Sequence, residues 1–100
     1  MIGDNKVDER ITELKKCYQK LFDRENWSRS YIEVTDKNDE IVLSANKEGM
    51  LVLIEELIAL CDKDQPGSHY HLDEAGMADK CEKSMVITLI ETPRSKVRLA

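Results

Sequence analysis

The stretch YIEVTDKNDEIVLSAN, residues 31–46, decides the fold. Tyr31 to Thr35 and Glu40 to Ser44 are short runs rich in β-branched and apolar residues. Between them lies Asp36-Lys37-Asn38-Asp39, a polar run of turn formers, so the segment reads as a β-hairpin. Asn46 then stands where a helix N-cap belongs, with Glu48 in the first turn to meet the helix dipole. A helix follows to about Asp62. Met50, Leu51, Leu53, Ile54, Leu57, Ile58, Leu60 and Cys61 give it a wide apolar face, so it is expected to be the better buried of two helices.

Downstream, Asp64-Gln65-Pro66-Gly67-Ser68 stops that helix. Two further strands are predicted at Ser68–Asp73 and Ser84–Glu91, joined by the connector Glu74–Lys83. In the last strand Met85, Ile87 and Leu89 alternate with Val86, Thr88 and Ile90. Both sets are largely apolar, which predicts a central strand covered on both sides. Thr92-Pro93 ends it.

Upstream, Val7, Ile11, Leu14, Tyr18 and Leu21 step by four, three, four and three residues. They mark one face of a helix from Asp4 to about Arg24, flanked by Cys17 and Phe22. Acidic residues open it and Lys15, Lys16, Lys20 and Arg24 close it, as the helix dipole favours. This stripe is expected to pack on the chain's own sheet, the alternative being a homodimer seam. Trp27, in the link to the first strand, is expected to plug one end of the core. The order is thus α-β-β-α-β-β in the α+β class: a four-stranded sheet of two hairpins packed with two helices, its strand order open. One hundred residues suffice for a single domain, 1–100, with helix 4–24, a ββαββ body over 30–92 and a basic tail over 93–100.

The formal charge is −5 and is unevenly placed. Met1–Arg24 holds five acidic and six basic residues, Glu25–Pro93 fifteen acidic and six basic, and the tail adds Arg94, Lys96 and Arg98. An acidic body without a basic, aromatic stripe excludes direct nucleic-acid binding; its charges read either as a solvated surface that keeps the protein soluble or as a face that steers a basic protein partner. No run of eighteen apolar residues is present, so no membrane-spanning helix is expected. The opening residues carry no secretory signal pattern. Cys17, Cys61 and Cys81 are odd in number and widely spaced, which points to reduced thiols and a cytoplasmic setting, with Cys17 and Cys61 acting as small hydrophobes.

The most unusual segment is Ser68-His69-Tyr70-His71-Leu72-Asp73. On a strand, His69, His71 and Asp73 share one face and Tyr70 and Leu72 the other. Two imidazoles and a carboxylate can hold a metal ion with Cys81 as a fourth ligand, so a small metal-binding protein or enzyme is one reading. No second ligand pair has metal spacing, however, and a structural or partner-facing role for the histidines is favoured. Neither a nucleophile elbow, a P-loop nor a Gly-rich dinucleotide loop is present, so no catalytic residue, metal or cofactor is assigned.

Ser44-Ala45-Asn46-Lys47-Glu48-Gly49-Met50-Leu51 with its Leu/Ile-rich helix, Gly67-Ser68-His69-Tyr70-His71-Leu72-Asp73, and the closing Ser84-Met85-Val86-Ile87-Thr88-Leu89 resemble the immunity protein 32 family of bacterial polymorphic toxin systems. The resemblance covers about half the chain, Glu40 to Glu91, and the His-x-His-Leu-Asp segment is its most specific part. It implies a cytoplasmic, non-enzymatic protein that neutralises one cognate toxin domain, often a nuclease, by occlusion; the acidic body makes a basic toxin domain the expected partner, and the chain is expected to be a monomer or weak homodimer. Tyr31, His69, Tyr70 and His71 are then the candidate anchors, with Glu55, Glu56, Asp73 and Glu74 as steering charges.

Overall fold

The computed structural model describes residues 4–21 and 28–96, with side chains from 6–20 and 28–96. The expectations for Phe22, Arg24, Trp27 and the end of the tail lie outside the described residues, as does the side chain of Leu21.

Helix α1 spans Asp4–Leu21 and is followed by strands β1 (Ile32–Lys37) and β2 (Glu40–Ala45). They form an antiparallel hairpin whose last pair, Lys37 with Glu40, leaves Asn38-Asp39 as a two-residue turn. Both turn residues have positive φ, 49° and 66°. This is the geometry that matches the right-handed twist of the strands, and Asn and Asp tolerate it better than most residues. The hairpin is therefore tighter, and its first strand longer, than composition alone indicates.

Helix α2 covers Lys47–Lys63. Asn46 caps it as expected, its side-chain oxygen accepting the Gly49 N–H at 2.7 Å. The same oxygen accepts the Tyr31 N–H at 2.9 Å, and the amide nitrogen donates to the Arg29 carbonyl at 2.9 Å. One side chain thus fastens α2 to the chain segment that enters β1. The helix ends at Asp64 in the left-handed region, φ 52°, where its N–H reaches the Cys61 carbonyl.

Strands β3 (His69–Leu72) and β5 (Met85–Thr88) pair antiparallel, His69 opposite Thr88 and Leu72 opposite Met85. The two hairpins do not merge into the single four-stranded sheet that the sequence suggested. They belong to separate sheets, one three-stranded in the order β2-β1-β4 and one two-stranded, β3-β5. The reason lies in the connector. Its residues Lys80–Cys81 form a short strand, β4, that leaves the second hairpin and pairs parallel with Glu33 and Val34 of β1. That position is where β3 or β5 would have had to dock. A single-turn 3-10 helix, Arg94–Lys96, follows the second hairpin.

A shared core joins the sheets. Ile32 and Val34 of β1, Val52 and Leu53 of α2 and Leu72 of β3 are buried together, with Leu43, Tyr70, Met77, Cys81, Met85 and Ile87 packed around them. α2 therefore covers both sheets, which accounts for its apolar breadth. α1 does not pack on a sheet as expected; it lies against α2. Lys15 meets Asp62 at 2.6 Å, and the Tyr18 hydroxyl donates to the Leu51 carbonyl. Residue number rises on α1 as it falls on α2, so the helices run antiparallel. A small crevice between them is lined by Tyr18, Gln19, Glu55, Ile58 and Ala59.

Two packing expectations are corrected. Cys17 and Cys61 are exposed, and Cys81, half-buried with its thiol near the Leu72 carbonyl, is the one next to the core. The last strand is covered on one side only: Met85, Ile87 and Leu89 face inward, while Val86 and Ile90 are 52% and 67% exposed. A two-stranded sheet over one core has no second layer to cover its outer face. No described helix is long and apolar enough to cross a membrane.

Candidate functional site

The β3-β5 hairpin sorts its side chains by strand alternation. Tyr70 and Leu72 turn to the core, and His69 and His71 turn outward. Register then fixes their neighbours: Thr88 stands opposite His69, and Val86 opposite His71. Directly opposed residues share a face, so the outer surface carries His69, His71, Val86 and Thr88.

The open end of the hairpin is held in place by backbone bonds. Gly67 donates to the Leu89 carbonyl at 2.8 Å, and Leu89 donates to the Ser68 carbonyl at 2.9 Å. Gly67 has φ 95°, a conformation that a side chain rarely adopts. The His69 Nδ1 lies 3.0 Å from the Gly67 carbonyl, a bond available to the tautomer protonated there. The two imidazoles meet edge to face, centroids 4.8 Å apart and planes at 87°. The outcome is a half-apolar, half-aromatic surface whose hydrogen-bonding side-chain groups, among the described residues, are imidazole nitrogens and a threonine hydroxyl.

Asp73 does not complete a ligand set with the histidines. Its side chain accepts the Gly76 N–H at 2.7 Å, and its carbonyl accepts from Gly76 and Ala78 at 3.0 and 3.1 Å. It folds the turn that sends the chain toward β4. Among the described residues no three His, Cys, Asp or Glu side chains are arranged to hold a metal ion.

The other candidate residues are dispersed. Tyr31 is exposed just before β1, the central strand of the three-stranded sheet, its hydroxyl donating to Glu33 at 3.1 Å. That bond, with burial and the Glu33 and Asp79 charges behind it, raises the phenol's pKa. Glu74 is exposed beside the second hairpin, whereas Glu55 and Glu56 are half-buried on α2. Burial, then the Glu55 charge, raises the Glu56 carboxyl, with Lys63 opposing. Tyr70 lies on the core side, where burial and then Glu56 push its phenol up to about 12. Of the eight residues, then, the fold brings His69 and His71 side by side, leaves Asp73 and Glu74 close to them in the chain, turns Tyr70 to the core, and carries Tyr31, Glu55 and Glu56 on other elements.

Several carboxylates of the acidic body are engaged by the chain itself. Asp79 accepts the Ile32 N–H, Glu82 accepts the Asp36 N–H, each at 2.9 Å, and Asp62 is paired with Lys15. Val86 and Ile90 are the surface residues that the sequence reading placed under cover. The signal that could have exposed them is the pairing itself, because whatever stands opposite an outward histidine must also face outward.

The comparisons with known proteins agree with this half of the molecule. A family model described as immunity protein 32 matches residues 40–90, which takes in β2, α2 and the whole β3-β4-β5 region. No curated protein and no solved structure matches the chain.

Proposed function

The chain belongs to the immunity protein 32 family, and from that premise we propose that it binds one cognate toxin domain and blocks it by occlusion, through the outer face of the β3-β5 hairpin. The observation that carries this reading is the exposed His69, His71, Val86 and Thr88 surface lying inside the matched residues. Aromatic-like and apolar groups on a hydrogen-bonded hairpin lose little conformational entropy on binding, which suits the centre of an interface.

The toxin is a basic protein, a nuclease in the reading that charge favours. Fifteen acidic against six basic residues over Glu25–Pro93 give a field that draws a cationic surface. Exposed Asp36, Asp39 and Glu40 at the first hairpin tip and Glu74 beside the second contribute to it. The protein itself turns nothing over; it covers the toxin's active site from a cytoplasmic position.

The test is binding and protection with the toxin domain encoded beside this gene. The expected result is a one-to-one complex, rescue of toxin-expressing cells, and loss of both in a His71→Glu, Val86→Glu double variant. Unchanged binding by that folded variant would remove this face from the interface, and no binding by the parent chain would remove the reading altogether.

A further inference from the structure

His69 and His71 are two exposed nitrogen donors on one strand face, and the fold has already fixed the chemistry of the first. His69 Nδ1 lies 3.0 Å from the Gly67 carbonyl oxygen, which can only accept a hydrogen bond. In the bonded ring the proton is therefore on Nδ1, and the neutral imidazole presents the lone pair of Nε2. Histidines that bind metal ions are oriented in this way, one nitrogen donating to a backbone carbonyl while the other takes the ion. The carbonyl is itself held in place. The Gly67 N–H donates to the Leu89 carbonyl at 2.8 Å, and β3 is paired with β5 from His69 onward.

The spacing of the two rings suits one shared ion. Their centroids are 4.8 Å apart. An imidazole nitrogen binds a late transition-metal ion at about 2.1 Å, which sets the centres of two rings on neighbouring positions of a square or tetrahedral ion about 4.5–5.2 Å apart. The observed separation falls inside that range, so the strand need not bring the rings closer. The ion would have these two protein ligands alone. Asp73 is committed to the Gly76 turn, and the Cys81 thiol lies by the Leu72 carbonyl against the core. Among the described residues no third His, Cys, Asp or Glu completes a set.

We propose that His69 and His71 form a two-point chelate for one divalent transition-metal ion, with water in its remaining positions. The donors select the class of ion. Imidazole suits Cu2+, Ni2+ and Zn2+, with Cu2+ bound most tightly, whereas Mg2+ and Ca2+ require oxygen ligands. The surroundings favour a cation. Thr88 and Val86, which stand opposite the two histidines, are uncharged, Asp73 and Glu74 follow closely in the chain, and the net charge is −5. The chelate belongs to the free chain, so this inference does not depend on the toxin reading.

Isothermal titration of the untagged chain with nickel chloride tests it, in a Cys17→Ser, Cys61→Ser background that removes the exposed thiols. Loss of a bond that merely orients a ligand costs about 10–100-fold in metal affinity, and loss of the ligand should cost no less. The expected result is one Ni2+ per chain, bound about tenfold or more tightly than by His69→Ala or His71→Ala, each of which keeps a single imidazole. Far-UV circular dichroism checks the fold of each variant, and His69→Gln and His71→Gln replace any alanine variant that is not folded. Parent binding no tighter than that of the single variants would reveal two independent imidazoles and overturns the inference. So does a one-to-one complex that survives both substitutions, or one that forms equally well with Mg2+.

Discussion

Asp79 and Ile32 are bonded to each other twice: the Asp79 N–H donates to the Ile32 carbonyl at 2.8 Å, and the Ile32 N–H donates to the Asp79 carboxylate at 2.9 Å. Glu82 repeats the arrangement immediately after β4, its N–H donating to the Val34 carbonyl and its carboxylate accepting the Asp36 N–H. A two-residue strand is thereby extended at each end by a carboxylate that satisfies a backbone donor of β1. Asp79→Ala should cost about 1.5–3 kcal/mol in urea unfolding, the range for a hydrogen bond to a charged group. Asp79→Asn keeps an acceptor and should cost less than half as much. Equal losses in the two variants would mean that the carboxylate charge, and not its accepting oxygen, holds the strand.

Tyr70 and Glu56 each favour the fold in the protonated form, and each loses that contribution as pH rises, in separate pH ranges. The Tyr70 oxygen is buried with no hydrogen-bond partner among the described residues, and its phenol titrates near 12 in place of 10.0. Protonated Tyr70 therefore favours the folded state; that contribution is complete below pH 10.0 and is lost as pH rises through about 12. Glu56 is likewise raised above its ordinary 4.5, so its protonated form favours folding and ionisation removes that contribution as pH climbs through the raised value. Tyr70→Phe should abolish the alkaline loss and gain about 1 kcal/mol at neutral pH by removing an unpaired hydroxyl. Glu56→Gln should stabilise the protein at pH 7 but not below pH 4. Urea midpoints measured across pH check both.

The elements with strong local signals were legible in the sequence. Asn46 is a cap because its side chain can accept where a helix begins, and Asn38-Asp39 is a turn because both residues accept positive φ. The outward histidines follow from strand alternation. What was not legible depends on contacts distant in sequence. Lys80–Cys81 has neither the length nor the periodicity of a strand, and it becomes one only because Asp79 and Glu82 reach backbone groups some 46 residues away in the chain. That detour separates the sheets, and with one sheet of only two strands Val86 and Ile90 lose the second layer that their apolar character suggested. The histidine pair could be read locally; the surface to which it belongs could not.

Gly49 sits where α2 passes closest to the start of β1. A Cβ at that position would stand 2.5 Å from the Tyr31 carbonyl and 3.0 Å from both the Ala45 Cβ and the Asn46 side-chain oxygen. The first contact is with backbone that also accepts the Asn46 N–H at 3.1 Å, so it cannot yield without disturbing the cap. Gly49→Ala should therefore destabilise by about 1–3 kcal/mol, despite alanine's better helix propensity. Asn46→Ala loses the same joint from the other side and should cost about 2 kcal/mol. Because the two changes disrupt one joint, the double variant should fall short of their sum. Thermal unfolding of the four proteins measures that shortfall.

Occlusion by the β3-β5 face and steering by carboxylates make separable kinetic predictions. His71 opposes Val86 on a hairpin whose inner side is anchored by buried Leu72. Removing the imidazole should thus leave the fold intact and shorten only the life of the complex. His71→Ala should raise the dissociation rate of the toxin complex about tenfold or more, with little change in association rate. Glu74 is exposed and close to this face along the chain, but it is not part of the outward row. Glu74→Lys should slow association at low salt, leave dissociation nearly unchanged, and converge with the parent as salt screens the charge. Surface-immobilised toxin with both proteins flowed over it at two ionic strengths separates the two rates. If His71→Ala changes only association, or Glu74→Lys changes only dissociation, the assignment of anchor and steering roles is reversed.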